Sequence, residues 1–384
     1  MASVQQHKGK KIAFVSNNAW SMYNFRKEIL LHFIEQGHIV YVITPHDDYS
    51  LKLTALGCQI VEVDFDNRSA NPFNDWKLYQ NLKSVYQRIG AEVIFHYVIK
   101  PNIYGSMAAA ALRTRSVAII TGLGYTFSRK NWLNFIVKKM YRFALKKCQA
   151  VCFLNAEDAA GFDKEGIVQA TKIRILPGEG IDTDYFLPVA KKEGRNPFVF
   201  LMSARMLKSK GHAVFAEASG ILRSKGYKFE SRLIGFFEKN HPDTISHEQL
   251  EEWQAKGFIQ YKGFAEDVRE FLADADCFVL PTAYNEGLSR GIMEAASMEL
   301  PVITTKQRGC KELVLEGETG LFCNLNDAHD LSLKMERILL LSDIERDNMG
   351  KAGRKLVSGK FHMRNVIQEY DKLVAAQNPE FASN

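Results

Sequence analysis

Short apolar runs, each the length of a buried strand, recur along the chain between polar turns and longer stretches with helical spacing. The first is Ile12-Ala13-Phe14-Val15. It is followed by a helical pattern over residues 22–36, a stop at Gly37-His38, and a second run, Ile39-Val40-Tyr41-Val42-Ile43. Glycine just past the last helical residue is the usual terminator. Runs at 59–63, 93–95, 117–120 and 151–154 continue the series, each leading into a loop and a helical stretch. Unbroken apolar strands spaced by helices predict a parallel sheet covered on both faces. A second series opens at 198–202 and continues at 232–234, 258–261, 277–280 and 302–304. Residues 184–197, with two prolines, a glycine and a charge cluster, read as the linker between them. The predicted fold class is α/β, two doubly wound Rossmann-like domains facing a central cleft. The N-terminal domain spans 1–187 and the second 188–360; residues 361–384 form a final helix, expected to pack back towards the first domain, and a tail.

In such sheets ligands sit beyond the carboxyl ends of the strands, so the loops there carry the chemistry. After 277–280 comes Tyr284-Asn285-Glu286-Gly287-Leu288-Ser289-Arg290-Gly291-Ile292-Met293-Glu294. Its helix is apolar on nearly every side, so Glu294 is a carboxylate that needs a hydrogen-bonding or ionic partner. Glu286 lies just ahead of the helix start, where a row of free backbone N–H groups suits an anion such as a phosphate. An ordinary acidic residue and a solvated helix glutamate would give the same letters; Gly287 and the apolar neighbours of Glu294 weigh against that.

The strand at 198–202 ends in Ser203-Ala204-Arg205-Met206-Leu207-Lys208-Ser209-Lys210-Gly211. Arg205 and Lys210 both reach over one strand-to-helix turn, and two cations there suit a diphosphate. A solvated basic turn is the rival, strongest for Lys208. In the first domain, the loop from Ser16 to Arg26 contains Asn17 and lacks GxGxxG, which counts against a nicotinamide or flavin enzyme; an ordinary turn with Ser21 capping the next helix is equally compatible. Asp274-Ala275-Asp276 resembles a metal motif but precedes its strand, so a structural turn is the better reading. No other cluster has metal-ligand spacing, and neither metal nor cofactor is expected.

Composition narrows the class. A chain of 384 residues, 46% hydrophobic and 24% charged, suits two soluble globular domains. Fifty basic against 44 acidic residues is too mild a surplus to argue for nucleic acid. The six cysteines form no CxxC pair and mostly sit in apolar runs, which points to a reducing, cytoplasmic setting. The N-terminus lacks a signal-peptide core, and no run reaches the ~18 apolar residues of a membrane span. Residues 129–147 hold Arg129, Lys130, Lys138, Lys139, Arg142, Lys146 and Lys147 without an acid. Lys138, Lys139, Arg142 and Lys146 share a helical face near Trp132 and Phe135, as a helix lying on anionic lipid requires. A sheet-covering helix with a solvated basic side is the alternative; both hold if Ile136, Val137, Met140 and Phe143 pack inward.

Taken together, Arg205…Lys210-Gly211, Tyr261-Lys262-Gly263-Phe264, Glu286-Gly287-Leu288-Ser289-Arg290…Met293-Glu294-Ala295 and Pro301-Val302-Ile303 resemble a GT-B glycosyltransferase of family 4. Ile99-Lys100-Pro101-Asn102-Ile103-Tyr104-Gly105 and Thr121-Gly122-Leu123-Gly124-Tyr125 are similar to the branch that extends undecaprenyl-diphosphate-linked sugars, N-acetylgalactosaminyl transferases among them. The resemblance implies that Arg205 and Lys210 hold the donor diphosphate, that Glu294 takes the ribose hydroxyls, and that Glu286 contacts the transferred sugar beside Gly287, Leu288 and Ser289. Gly263 and Phe264 would lie near the uracil. Many members present a first-domain histidine to the sugar; here Thr121 stands at that place, with His96, Tyr97 and Lys100 assigned to a neighbouring loop, and Asn17, Lys100 and Thr121 are placed on the acceptor or reacting-sugar side.

The expected activity is retaining, metal-independent transfer of an N-acetylhexosamine or hexose from a UDP-sugar to a polyprenyl-diphosphate-linked saccharide. The enzyme would work peripherally on the cytoplasmic face of the membrane, meeting anionic lipid through residues 129–147. A UDP-sugar 2-epimerase of the same fold and a non-catalytic membrane-associated partner are the rivals.

Overall fold

The computed structural model describes residues 9–65, 71–122, 132–189, 197–238, 241–285 and 287–376, and at Leu133 the backbone alone. It divides into two compact units, residues 1–180 with 363–384 and residues 181–362.

The first unit is built on a parallel sheet of strands β1 (Lys11–Val15), β2 (Ile39–Thr44), β3 (Gln59–Glu62), β4 (Val93–Tyr97), β5 (Arg115–Ile120), β6 (Ala150–Phe153) and β7 (Ile173–Ile175), in the order β3-β2-β1-β4-β5-β6-β7. The central strands are buried along their length, as their unbroken apolar runs require. β7 escapes the sequence pattern because it is a three-residue edge strand, Ile-Arg-Ile, with two of the three exposed.

The helix Ala19–Glu35 starts three residues ahead of the apolar period. Asn18, not Ser21, is its cap: the Asn18 Oδ1 accepts from the Ser21 N–H at 2.7 Å, and the Asp47 carboxylate accepts from Ala19 (2.8 Å) and Trp20 (3.1 Å). The open donors of that helix are therefore satisfied within the unit.

The helix Met363–Ala375 packs on this unit as well. Tyr370 Oη and Tyr97 Oη lie 2.7 Å apart, and Arg115 and Lys10 donate to the carbonyls of Leu373 and Val374. Beneath the tyrosines, the buried Arg26 guanidinium sits 4.7 Å from the Tyr97 ring centre and 2.7 Å from a Glu179 oxygen. Burial alone would lower the pKa of Arg26; Glu179, with the two tyrosines, more than reverses that and holds the group charged.

The second unit repeats the plan with β8 (Phe198–Ser203), β9 (Phe229–Ile234), β10 (Gln260–Tyr261), β11 (Cys277–Leu280), β12 (Val302–Thr305) and β13 (Gly320–Cys323), all parallel in the order β10-β9-β8-β11-β12-β13. β9 begins at Phe229, three residues earlier than its apolar run, because its alternate residues Glu230 and Arg232 are polar and half-buried. The chain enters and leaves this unit by adjacent segments, Ile181 N–H donating to the Phe361 carbonyl at 2.9 Å. Residues 181–187, read from sequence partly as linker, are bound to it: Arg354 donates to the carbonyls of Thr183 and Phe186 at 3.0 Å each, and Ser297 Oγ to Phe186 at 2.8 Å.

Asp274 and Asp276 serve the amino end of this sheet. Asp276 exchanges two 2.8 Å hydrogen bonds with the backbone of Val199, and Asp274 pairs with Arg232. All six cysteines are buried and unbridged.

Arg26→Ala leaves the Glu179 carboxylate buried without its cation. Such a loss costs about 3 kcal/mol, and chemical denaturation monitored by tryptophan fluorescence should show a reduction of that size for the transition involving the first unit.

Candidate active site

Three loops at the carboxyl edge of the second sheet converge. The loop after β8 turns at Lys208–Lys210 and enters the helix His212–Ser224 through Gly211, which adopts φ +89. A side chain there would be strained and its Cβ would lie 2.2 Å from the Pro281 carbonyl oxygen. The loop after β11 is tied to the same turn, with Ala283 N–H donating to the Ser209 carbonyl at 2.7 Å.

On this platform Arg205 and Lys210 come together over one ring. The Arg205 guanidinium carbon is 5.6 Å and the Lys210 Nζ 4.7 Å from the centre of Tyr284. Lys210 is buried and Lys208 exposed, so the solvated reading fits Lys208 alone. Arg205 also pairs with Glu238 at 2.8 Å. Its carbonyl accepts from His212 Nε2, also at 2.8 Å. Burial lowers the pKa of His212 to about 4, so at neutral pH the ring is uncharged with its proton on Nε2.

The helix Arg290–Ser297 starts beside the end of β8, where a Cβ on Gly291 would lie 3.5 Å from the Ser203 carbonyl. The partner that Glu294 requires is Arg290, one turn back, whose Nε donates at 2.8 Å. Burial raises the Glu294 pKa, with Arg290 acting against it. The row of N–H donors is shorter than the sequence implies, because Ser289 N–H is taken by the Gly309 carbonyl at 3.2 Å. Leu288 is buried and Gly287 lies beside it; Glu286 falls outside the described residues. Gly263, at φ +83, accepts from Gly235 N–H at 3.0 Å, and the exposed Phe264 stands edge-on to Phe236 with ring centres 5.7 Å apart.

Asn17, Lys100 and Thr121 belong to the first unit. Asn17 Oδ1 accepts from Asn18 Nδ2 at 2.8 Å, and Thr121 is half-buried just past β5. Lys100 follows Val98, which holds φ 60, an unusual conformation for a β-branched residue, and leads into a short π-helical turn, Pro101–Gly105. Its Nζ and the Tyr104 hydroxyl both bind Asp75, at 2.7 Å each.

His96 and Tyr97 are not on that loop. Both lie within β4 and are buried, and His96 Nε2 is 3.0 Å from Tyr86 Oη. Burial drives the His96 pKa down to about 3, so it stays neutral.

The basic segment forms the helix Trp132–Leu145; Arg129 and Lys130 lie outside the described residues. Its apolar arc does not all pack inward: Phe143 is 70% and Ile136 40% exposed, along with Trp132 at 73% and Phe135 at 60%. Lys138 pairs with Glu165 and Arg142 binds the carbonyls of Glu165 and Gly166, while Lys139 lies 4.5 Å from the centre of the Phe135 ring.

Two family models match the chain, "Glycosyl transferase 4-like" over residues 11–155 and "Glycosyl transferases group 1" over 187–356. The chain belongs to the family 4-like glycosyltransferases. This glycosyltransferase is 29% identical over 381 residues to the N,N'-diacetylbacillosaminyl-diphospho-undecaprenol alpha-1,3-N-acetylgalactosaminyltransferase of Campylobacter jejuni, covering 94% of this chain and 98% of the relative. It is 24% identical to the Escherichia coli UDP-Gal:alpha-D-GlcNAc-diphosphoundecaprenol alpha-1,3-galactosyltransferase, over 80% of each chain. Among solved structures, Anabaena HepE in complex with UDP and glucose superposes with TM-score 0.79 at 15% identity, over 96% of this chain and 100% of HepE, which shows the GT-B fold.

Sequence reasoning missed Tyr284, Glu238 and Arg290 as members of the site. Arg290 was legible, one helical turn from Glu294. Glu238 was not, because it arrives from the loop of another strand.

Two outcomes follow from this geometry. Gly211→Ala should abolish nucleotide binding or soluble expression, with circular dichroism distinguishing the two. Because folding raises the pKa of Glu294, its stabilising contribution is present below the unfolded value of about 4.3 and is lost as pH rises through the folded value. Glu294→Gln should therefore raise the thermal midpoint at about pH 8, and the advantage should shrink as the solution is acidified towards the ordinary carboxylate value.

Proposed function

We propose that this glycosyltransferase moves a hexosamine or hexose from a UDP-sugar to a polyprenyl-diphosphate-linked saccharide, with retention of configuration and without a metal ion. The observation that carries the reading is the Arg205 and Lys210 pair converging over Tyr284, beside the helix that bears Glu294. Two cations on a rigid turn neutralise a leaving diphosphate as its charge develops, a role a metal fills in other phosphate chemistry. Glu294, steadied by Arg290, accepts hydrogen bonds from the ribose hydroxyls, and Gly263 and Phe264 border the uracil. Glu286 meets the transferred sugar. The acceptor hydroxyl attacks from the face the diphosphate leaves, and the departing phosphate takes its proton.

The two relatives support the acceptor class, since each is named for action on a saccharide joined to undecaprenol through a diphosphate. UDP is the nucleotide in the Escherichia coli name and in the HepE structure.

A lipid-linked acceptor brings the enzyme to a bilayer, on its cytoplasmic side in this reading. Among the described residues no helix is long and apolar enough to cross it. The exposed Trp132, Phe135 and Phe143 beside Lys139 support peripheral binding to anionic lipid. Lys138 and Arg142, engaged with the 165–166 turn, contribute to that helix's packing.

With chelator present, sugar transfer should persist in the wild type and fall by about 100-fold in Arg205→Ala and in Lys210→Ala. Strict metal dependence, or unaltered turnover in both variants, contradicts the mechanism. Product analysis without acceptor should show donor hydrolysis at most; release of an epimerised UDP-sugar would favour the isomerase instead. Trp132→Ser with Phe135→Ser and Lys139→Glu should reduce binding to phosphatidylglycerol vesicles while soluble-donor hydrolysis continues.

A further inference from the structure

The loop after β9 does more than border the nucleotide site. Its backbone is zipped to the loop after β8: Met206 N–H donates to the Phe236 carbonyl at 3.0 Å, Lys208 N–H to Asp243 at 2.7 Å, and Ile245 N–H to Met206 at 3.0 Å. Two carboxylates from this one loop then engage the cationic turn in different ways. Asp243 Oδ2 accepts from the Ser209 N–H at 3.1 Å and from the Ser209 hydroxyl, fixing the turn that aims Lys210. Glu238 takes the Arg205 Nη1 at 2.8 Å, with both side chains one-third exposed. Thr244 Oγ1, donating to the Glu238 carbonyl at 3.1 Å, holds the backbone of Glu238 in place.

We infer that Glu238 is a resident counter-ion for Arg205, occupying the guanidinium until the donor diphosphate arrives and returning to it when UDP leaves. The inference rests on the reading of Arg205 as a diphosphate ligand. An ion pair this exposed is worth at most about 1 kcal/mol, so it holds the arginine extended towards the site yet yields to a stronger anion. Sharing the guanidinium is unfavourable. A carboxylate and a diphosphate on the same group stand within several ångströms of each other, and each pair of like charges at 4 Å costs about 1 kcal/mol in water and about 4 at a protein surface. Displacement of the carboxylate relieves that repulsion. Asp243 is different, because it grips a backbone amide and a hydroxyl rather than the guanidinium, and nothing in donor binding asks it to move.

The consequence is an affinity set below what the two cations would give alone, which speeds product release. Calorimetric titration of the full-length protein with UDP tests this, with Arg205→Ala, Glu238→Gln and Asp243→Asn beside the wild type and uridine as the phosphate-free probe. Counter-ion exchange predicts that Glu238→Gln binds UDP about fivefold more tightly, leaves uridine binding unchanged, and lowers KM and kcat together. Asp243→Asn should bind UDP more weakly. Weaker or equal UDP binding by Glu238→Gln, with Arg205→Ala still impaired, overturns the exchange and makes Glu238 a fixed support of Arg205. UDP binding that Arg205→Ala leaves intact overturns the diphosphate assignment itself, so the two failures are told apart.

Discussion

The cation-bearing loop edge of the second unit depends on one close approach: the turn that carries Lys210 lies so near the Pro281 carbonyl that only glycine fits at position 211. That contact brings the loop after β8 against the loop after β11, and it is why Arg205, Lys210 and Tyr284 share one spot although almost 80 residues separate their strands. The helix that follows Gly211 cannot start elsewhere without losing this packing, and the Glu294 helix is placed by the same sheet edge. Chemistry that needs two cations and a carboxylate at fixed positions is thus built from backbone geometry first, and the charged side chains are added to it.

The charges themselves are arranged in pairs of unequal strength. In the first unit, the Arg26 and Glu179 side chains are 5% and 13% exposed, with the guanidinium over the Tyr97 ring, a structural pair whose disruption is costly. In the second, Arg205 with Glu238 is a third exposed and Arg290 with Glu294 lies between, at 23% and 13%. The gradation suits three roles in the proposed mechanism: holding the final helix on its unit, exchanging with a mobile anion, and steadying a carboxylate as acceptor for the ribose hydroxyls.

Much of the fold was legible because doubly wound sheets announce themselves through unbroken apolar strands. The strands that escaped, β7 and β13, are short, and the start of β9 is polar on alternate residues. Site legibility followed chain proximity. Arg205 and Lys210 stood out as two cations on the one turn after β8, and Glu294 as a charge on an otherwise apolar helix, whereas Glu238 and Tyr284 acquire their meaning only when loops from different strands meet. The first unit was misread where the strand ran on past its most apolar core: His96 and Tyr97 continue β4 into the interior, and the turn begins only at Val98. On the basic helix, counting positive charge overlooked Glu165 and the carbonyls of the 165–166 turn, which engage Lys138 and Arg142 and leave exposed aromatics as the more distinctive feature.

The measurement that bears most directly on the account is phosphorus NMR of UDP titrated with the protein in the presence of chelator. If Arg205 and Lys210 hold the diphosphate, both phosphorus resonances shift on binding to the wild type, and the shift of at least one collapses in Lys210→Ala even at protein concentrations that saturate the nucleotide. Resonances that shift identically in the wild type and in both single variants would mean that the phosphates are bound elsewhere.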